Sequence, residues 1–110
     1  MGHSRLMGEV VRLTRARATK AARDRINELW ERGLYKAPDH ATKRLQERAL
    51  DDNDIQNVIR HGRVTHGGPS DFPETPHRYK MEGTAVDGEE IVCVVDINGT
   101  LVLVTAYPKD

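Results

Sequence analysis

The chain has 110 residues, 37% of them hydrophobic and 31% charged, with 17 basic and 17 acidic side chains and so no net charge. That length gives one domain with one modest core. The single cysteine excludes an intrachain disulfide framework and suits a reducing compartment. No apolar run approaches the roughly 20 residues of a membrane span, so a soluble cytoplasmic protein with no membrane partner is expected.

The charge is unevenly placed. Residues 1–36 hold nine Lys/Arg against four Asp/Glu, and the remainder holds eight against thirteen. Such halves can neutralise each other within one molecule, complement each other across a homodimer, or give the basic half to an anionic partner. The opening "MGHS" reads as a tag remnant with Met7 as the natural start, and "MGHSRLMGEVVRL" lacks the apolar core of a signal peptide.

Glu9 to Arg32 contains no Gly or Pro and is rich in Ala and Arg, so a long helix is predicted there. Ala22, Ile26, Leu29 and Trp30 form its apolar stripe, and Gly33 ends it as a C′ residue. Its basic residues Arg12, Arg15, Arg17, Lys20, Arg23 and Arg25 can contact phosphates or a partner, or stay solvated. Residues 1–38 are thus a basic helix and a connection, "LYKAPD", with Pro38 disfavouring helix just before it. Residues 39–110 form the remaining core.

Asp39 is the expected N-cap of a helix over His40–Ala49, with Ala41, Leu45 and Ala49 as its narrow apolar face. His40, Arg44 and Arg48 recur at steps of four on an adjacent face. A third, short helix is predicted in "DDNDIQNVIRHG", capped by Asp51 or Asp52, with Ile55, Val58 and Ile59 inward and Gly62 as its stop.

The back half changes period. "RVTH" and "HRYKMEGTA" read as strands around a Gly/Pro loop, "VDGE" as a turn, and "EIVCVVDI" and "TLVLVTAY" as central strands. Asn98-Gly99 between the last two signals a two-residue type I′ hairpin. Three helices followed by four strands predict an α+β fold, with N-terminal helices packed on a twisted antiparallel four-stranded meander.

Three groups of residues carry candidate chemistry. Cleavage of RNA through its 2′-hydroxyl needs a proton carrier and positive donors for the phosphorane. His40 can carry the proton, and Arg44 and Arg48 can clamp phosphate oxygens. The plainer alternative is a polar face, with both arginines paired to Glu47, Asp51 or Asp52. In "HRYK", His77 and Tyr79 share one strand face while Arg78 and Lys80 share the other; either pair could meet RNA, or the tyrosine could pack inward with the charges outward. Thr105 and Tyr107 share a face of the last strand, where they act on a ligand or simply cover the sheet edge. His61, His66 and His77 match no established zinc spacing, so neither a metal nor another cofactor is expected. Cys93, in an apolar run, reads as a buried small hydrophobe.

"DHATKRLQERALDDNDIQNVIRHGRV" followed by "HRYKMEGT…EEIVCVVDINGTLVLVTAY" resembles the small family catalogued as domain of unknown function 4258. The resemblance covers Asp39 to Tyr107. It implies kinship with the RelE/ParE-like and BrnT-like toxins of toxin–antitoxin pairs, small α+β proteins of which several cleave RNA. On that footing the chain is expected to be a metal-independent endoribonuclease acting on RNA or ribosome-bound mRNA, with an antitoxin as partner. His40, Arg44, Arg48, Arg78, Tyr79 and Tyr107 would form its site. The other expectation is a non-catalytic module that binds protein or nucleic acid through the basic N-terminal helix.

Overall fold

The computed structural model describes residues 18–109. Residues 18–31 are helical (α1). They are followed by strand β1 (Tyr35–Lys36), helices α2 (Asp39–Glu47) and α3 (Asp52–His61), and strand β2 (Arg63–Gly67). A one-turn helix α4 (Gly68–Asp71) leads into strands β3 (Arg78–Thr84), β4 (Glu90–Ile97) and β5 (Leu101–Pro108).

The α+β class stands, but the sheet has five strands and is mixed, in the order β1-β5-β4-β3-β2. The four strands of the meander pair antiparallel as expected. The addition is β1, which pairs parallel with β5 through Tyr35↔Leu101 and Lys36↔Val102. Two residues carry no alternation to read, and Pro38 made this segment look like a plain connection.

Helices α1, α2 and α3 share one core with one face of the sheet. Ile26 and Leu29 of α1, Ala41 and Leu45 of α2, and Ile55, Val58 and Ile59 of α3 are buried with Met81, Ile91, Cys93, Val95, Leu101, Leu103 and Ala106. Val92 and Val94 alternate to the opposite face; they are buried too but lie outside that cluster. In register they sit between Glu82 and Lys80 of β3 and Tyr107 and Thr105 of β5. The helix layer therefore leaves this second face of the sheet without a helix among the described residues.

Several local devices follow the sequence. Gly33 takes φ +73°, with Leu34 N–H donating to the Leu29 carbonyl and Gly33 N–H to that of Trp30, the paired bonds of a Schellman cap. Asp51 caps α3: its carboxylate accepts from Asn53 N and Asp54 N, and Asp54 accepts from Asp51 N in return. Gly62 and Gly83 let α3 lie close on β3, since a Cβ on Gly62 would meet the carbonyls of Val58 and Glu82 within 2.6 Å.

Other expectations are corrected. Pro38, not Asp39, occupies the N-cap of α2, and Asp39 instead places its charge in the first turn, where the helix dipole favours it. Ala49 is exposed, and Leu50 is buried in its stead. The reason is that α2 ends in a second Schellman cap with Ala49 left-handed at φ 55°, which swings Leu50 back onto the core. Ile97 pairs with Leu101, so the β4–β5 loop has three residues, with Gly99 at φ +69° rather than the two left-handed residues of a type I′ turn.

Candidate functional site

The most informative contact joins the two ends of the core sequence. Arg48, at the C-cap of α2, reaches the edge of β5, where its Nη1 donates to Thr105 Oγ1 at 3.1 Å and to the carbonyl oxygen of Ala106. This edge is open because β1 stops at Lys36, opposite Val102, and β5 runs on to Pro108. Both bonds use Nη1. The Nε–H and the Nη2 group have no partner among the described residues, so Arg48 is anchored while its other donors stay available.

Arg44 and His40 lie one and two turns back along α2, at a rise of about 6 Å per four residues. Both are exposed, and neither makes a side-chain hydrogen bond or ion pair among the described residues. The expected pairing of Arg44 and Arg48 with Glu47, Asp51 or Asp52 does not form. Tyr107 is half-buried on the same face of β5 as Thr105, two residues on. The structure thus brings Arg48 to Thr105, continues the row through Arg44 to His40, and sets Tyr107 beside it on β5.

Arg78 and Tyr79 are not part of this group. Arg78 sits two strands away, about 10 Å across the sheet, and is committed to Asp96, its cross-strand partner: Nε donates to Oδ1 at 2.9 Å and Nη2 to Oδ2 at 3.1 Å. That bond holds the Arg78 pKa above its ordinary value. Tyr79 turns to the helix side, where its ring covers Gly67 of β2; a Cβ on Gly67 would overlap it. The inward tyrosine was one of the alternatives open in the sequence, but Asp96 and Gly67 as partners were not legible, because the β2–β3 and β3–β4 registers depend on the loop and turn between them.

The helix-free face of the sheet carries its own ion pairs. Glu82 lies between Arg63 at 3.6 Å and Lys109 at 3.4 Å. These three line a cleft of about 260 Å³ with His61 and Glu90. Lys80 and His66 face each other across β3 and β2, and neither has a carboxylate partner among the described residues. His61, His66 and His77 do not converge, and no group of three or more His, Cys, Asp or Glu is placed to hold a metal among the described residues.

Cys93 is fully buried, and burial pushes its thiol up to about 12, with the Asp54 carboxylate adding to the effect. That is the opposite of an activated nucleophile. Burial likewise raises the Tyr35 phenol well above its ordinary value; its hydroxyl is buried without a hydrogen bond among the described residues.

Of the basic helix, Arg12, Arg15 and Arg17 lie outside the described residues. Within α1, Lys20 pairs with Asp24 and Arg25 with Glu28. Arg32, just past the helix, also pairs with Glu28. Arg23 makes no ion pair among the described residues.

The family described as "Domain of unknown function (DUF4258)" matches residues 38–108. The chain belongs to this family. No curated protein and no solved structure gives a match. The DUF4258 region contains every residue of the α2–β5 row, and its two ends are what the Arg48–Thr105 bond ties together. It omits α1, although Ile26 and Leu29 of that helix are fully buried in the same core. The DUF4258 region and α1 therefore pack as one unit.

Proposed function

We propose that the protein is a toxin-like endoribonuclease whose site is the α2–β5 row, and the observation that carries this reading is Arg48. An arginine held by one nitrogen on β5, with its remaining donors directed elsewhere, is pre-positioned for a phosphate. It need not give up a carboxylate to bind one. Arg44 adds, one turn away, a second cation with no ion pair among the described residues. His40 supplies an imidazole that can accept and return a proton.

In the proposed reaction His40 removes the proton of the 2′-hydroxyl. The 2′-oxygen forms its bond to the adjacent phosphorus and the bond to the 5′-oxygen breaks. The proton passes to that leaving oxygen, which leaves a 2′,3′-cyclic phosphate and a 5′-hydroxyl. Arg44 and Arg48 stabilise the charge that develops on the phosphorane oxygens. Tyr107 offers a ring for a neighbouring base. Such an activity would be exercised on cytoplasmic RNA and held in check by a partner antitoxin.

The alternative module built on the basic helix draws less support, because Lys20 and Arg25 are already paired within α1. Growth of a bacterial host on induction separates the two. Arrest by the wild-type chain and recovery with His40→Ala are expected. Normal growth with abundant folded wild-type protein counts against the nuclease.

A further inference from the structure

The cations of this molecule fall into two kinds: those already bound to a carboxylate and those that are not. On the helix-free face, Arg78 is held by Asp96, and Arg63 and Lys109 share Glu82. Among the described residues, Lys80 and His66 remain on its β2–β3 side without an acidic partner, in a setting that also carries Glu82, Glu90 and Asp96.

The β1–β5 edge is different. Tyr35 packs against the core, so Lys36 alternates to the helix-free face, beside Val102 at the outer margin of the sheet. Three residues later α2 begins, and His40, Lys43 and Arg44 follow on its exposed side, then Arg48 at its end. None of these five has an ion pair among the described residues. Asp39 and Glu47, the acids of the same stretch, bridge to none of them.

We infer that a single RNA strand runs along the β1–β5 edge of the sheet, its phosphates on Lys36, Lys43, Arg44 and Arg48, rather than across the Lys80–His66 side at the other end of the sheet. This rests on the nuclease reading and names the path of its substrate. The geometry suits one strand. Arg44 and Arg48 follow one another about 6 Å apart along one side of α2, with Lys43 about a quarter turn round from Arg44, whereas a duplex presents two phosphate rows that so narrow a band of cations cannot meet together. Thr105, which Arg48 reaches round the edge, and Tyr107 lie on the helix-free side of β5, where a base turned away from the phosphates would find the tyrosine ring. Lys36 and Lys43 take no part in the chemistry proposed above, so they report the path alone.

The test is binding of a fluorescent 2′-O-methyl single-stranded oligoribonucleotide, which lacks the attacking hydroxyl and cannot be cleaved. It is measured against salt for the full chain and for Lys36→Glu, Lys43→Glu and Lys80→Glu. Lys36 and Lys43 are exposed and Lys80 is half-buried, and circular dichroism and thermal unfolding check the folding of all three variants. Lys36→Glu and Lys43→Glu are each expected to weaken binding about fivefold or more, and to lower the slope of log K against log salt by about 0.7. Lys80→Glu stays within about twofold of wild type on this account. Loss of affinity with Lys80→Glu but not with the edge variants would overturn the inference and move the strand to the Lys80–His66 side of the sheet. Equal affinity for a duplex of the same sequence would overturn its single-stranded part. Absence of binding by the wild type would overturn it altogether. Cleavage of ordinary RNA that persists while both edge variants bind normally would remove the path and leave the nuclease standing.

Discussion

Ala49→Gly should make the protein more stable. Ala49 is the one non-glycine among the described residues with positive φ, at 55°. It occupies the C′ position of α2, where Leu50 N–H donates to the Leu45 carbonyl at 2.8 Å and Ala49 N–H to that of Gln46 at 3.1 Å. A left-handed L-residue costs about 1–2 kcal/mol that glycine does not. Against this, glycine enlarges the unfolded ensemble by about 0.4–1 kcal/mol. The alanine methyl is exposed, so little burial is lost. The net expectation is a gain of about 0.5–1 kcal/mol, or roughly 2–6 °C in Tm for a chain of this size. Ala49→Val, branched at Cβ, should move the other way by about 1 kcal/mol or more. Urea and thermal unfolding followed by circular dichroism and by the fluorescence of Trp30, the sole tryptophan, measure both. A Tm for Ala49→Gly below that of wild type, or a neutral Ala49→Val, would show that the α2 end is not under this strain.

Asp54, the one buried charged side chain among the described residues, accepts from Asp51 N and from Val86 N, each at 2.9 Å. Asp54→Ala should therefore cost about 2–4 kcal/mol in urea unfolding, with Asp54→Asn losing less. Gly67→Ala forces a Cβ into the Tyr79 ring and should cost about 1–3 kcal/mol. Tyr79→Ala in the same chain should recover part of that loss, read by a double-mutant cycle in urea. Cys93 keeps its proton to about pH 12 when folded, against an ordinary value of 9.0. Between those pH values the unfolded chain binds fewer protons, so stability falls as pH rises, by up to about 1.4 kcal/mol per pH unit from this group. Cys93→Ala should flatten the pH dependence of the urea midpoint above pH 9, and an unchanged slope would count against a buried neutral thiol.

Features carried by local chemistry were legible in the sequence. Ile55, Val58 and Ile59 had to face inward from their spacing, Asp51 or Asp52 had to cap α3, and Gly33 had to end α1. What stayed hidden was set by the third dimension. Strand β1 exists because Leu101 N–H finds the Leu34 carbonyl 67 positions away, and nothing in "LYK" announces it. For the candidate site, the helical row His40–Arg44–Arg48 could be read, whereas its anchoring on Thr105 could not. Nor could the sequence show that Arg78 would meet Asp96, since the β3–β4 register is fixed by how the Ala85–Glu89 turn is held. Val86 N is tied to Asp54 and the Thr84 carbonyl to Asn57 Nδ2 on α3. Identical residue types thus end in opposite conditions: Arg78 is neutralised by Asp96, and Arg44 has no acidic partner among the described residues.

The central claim is that the α2–β5 row cleaves RNA with His40 as the proton carrier. The most direct measurement incubates purified full-length protein with an end-labelled single-stranded RNA in the presence of a chelator, with His40→Ala alongside, and analyses the chemistry of the new ends. The account predicts 2′,3′-cyclic phosphate and 5′-hydroxyl ends with the wild type, and a rate at least about a hundredfold lower with His40→Ala. Intact RNA with folded wild-type protein, or cleavage that His40→Ala leaves unchanged, would contradict it.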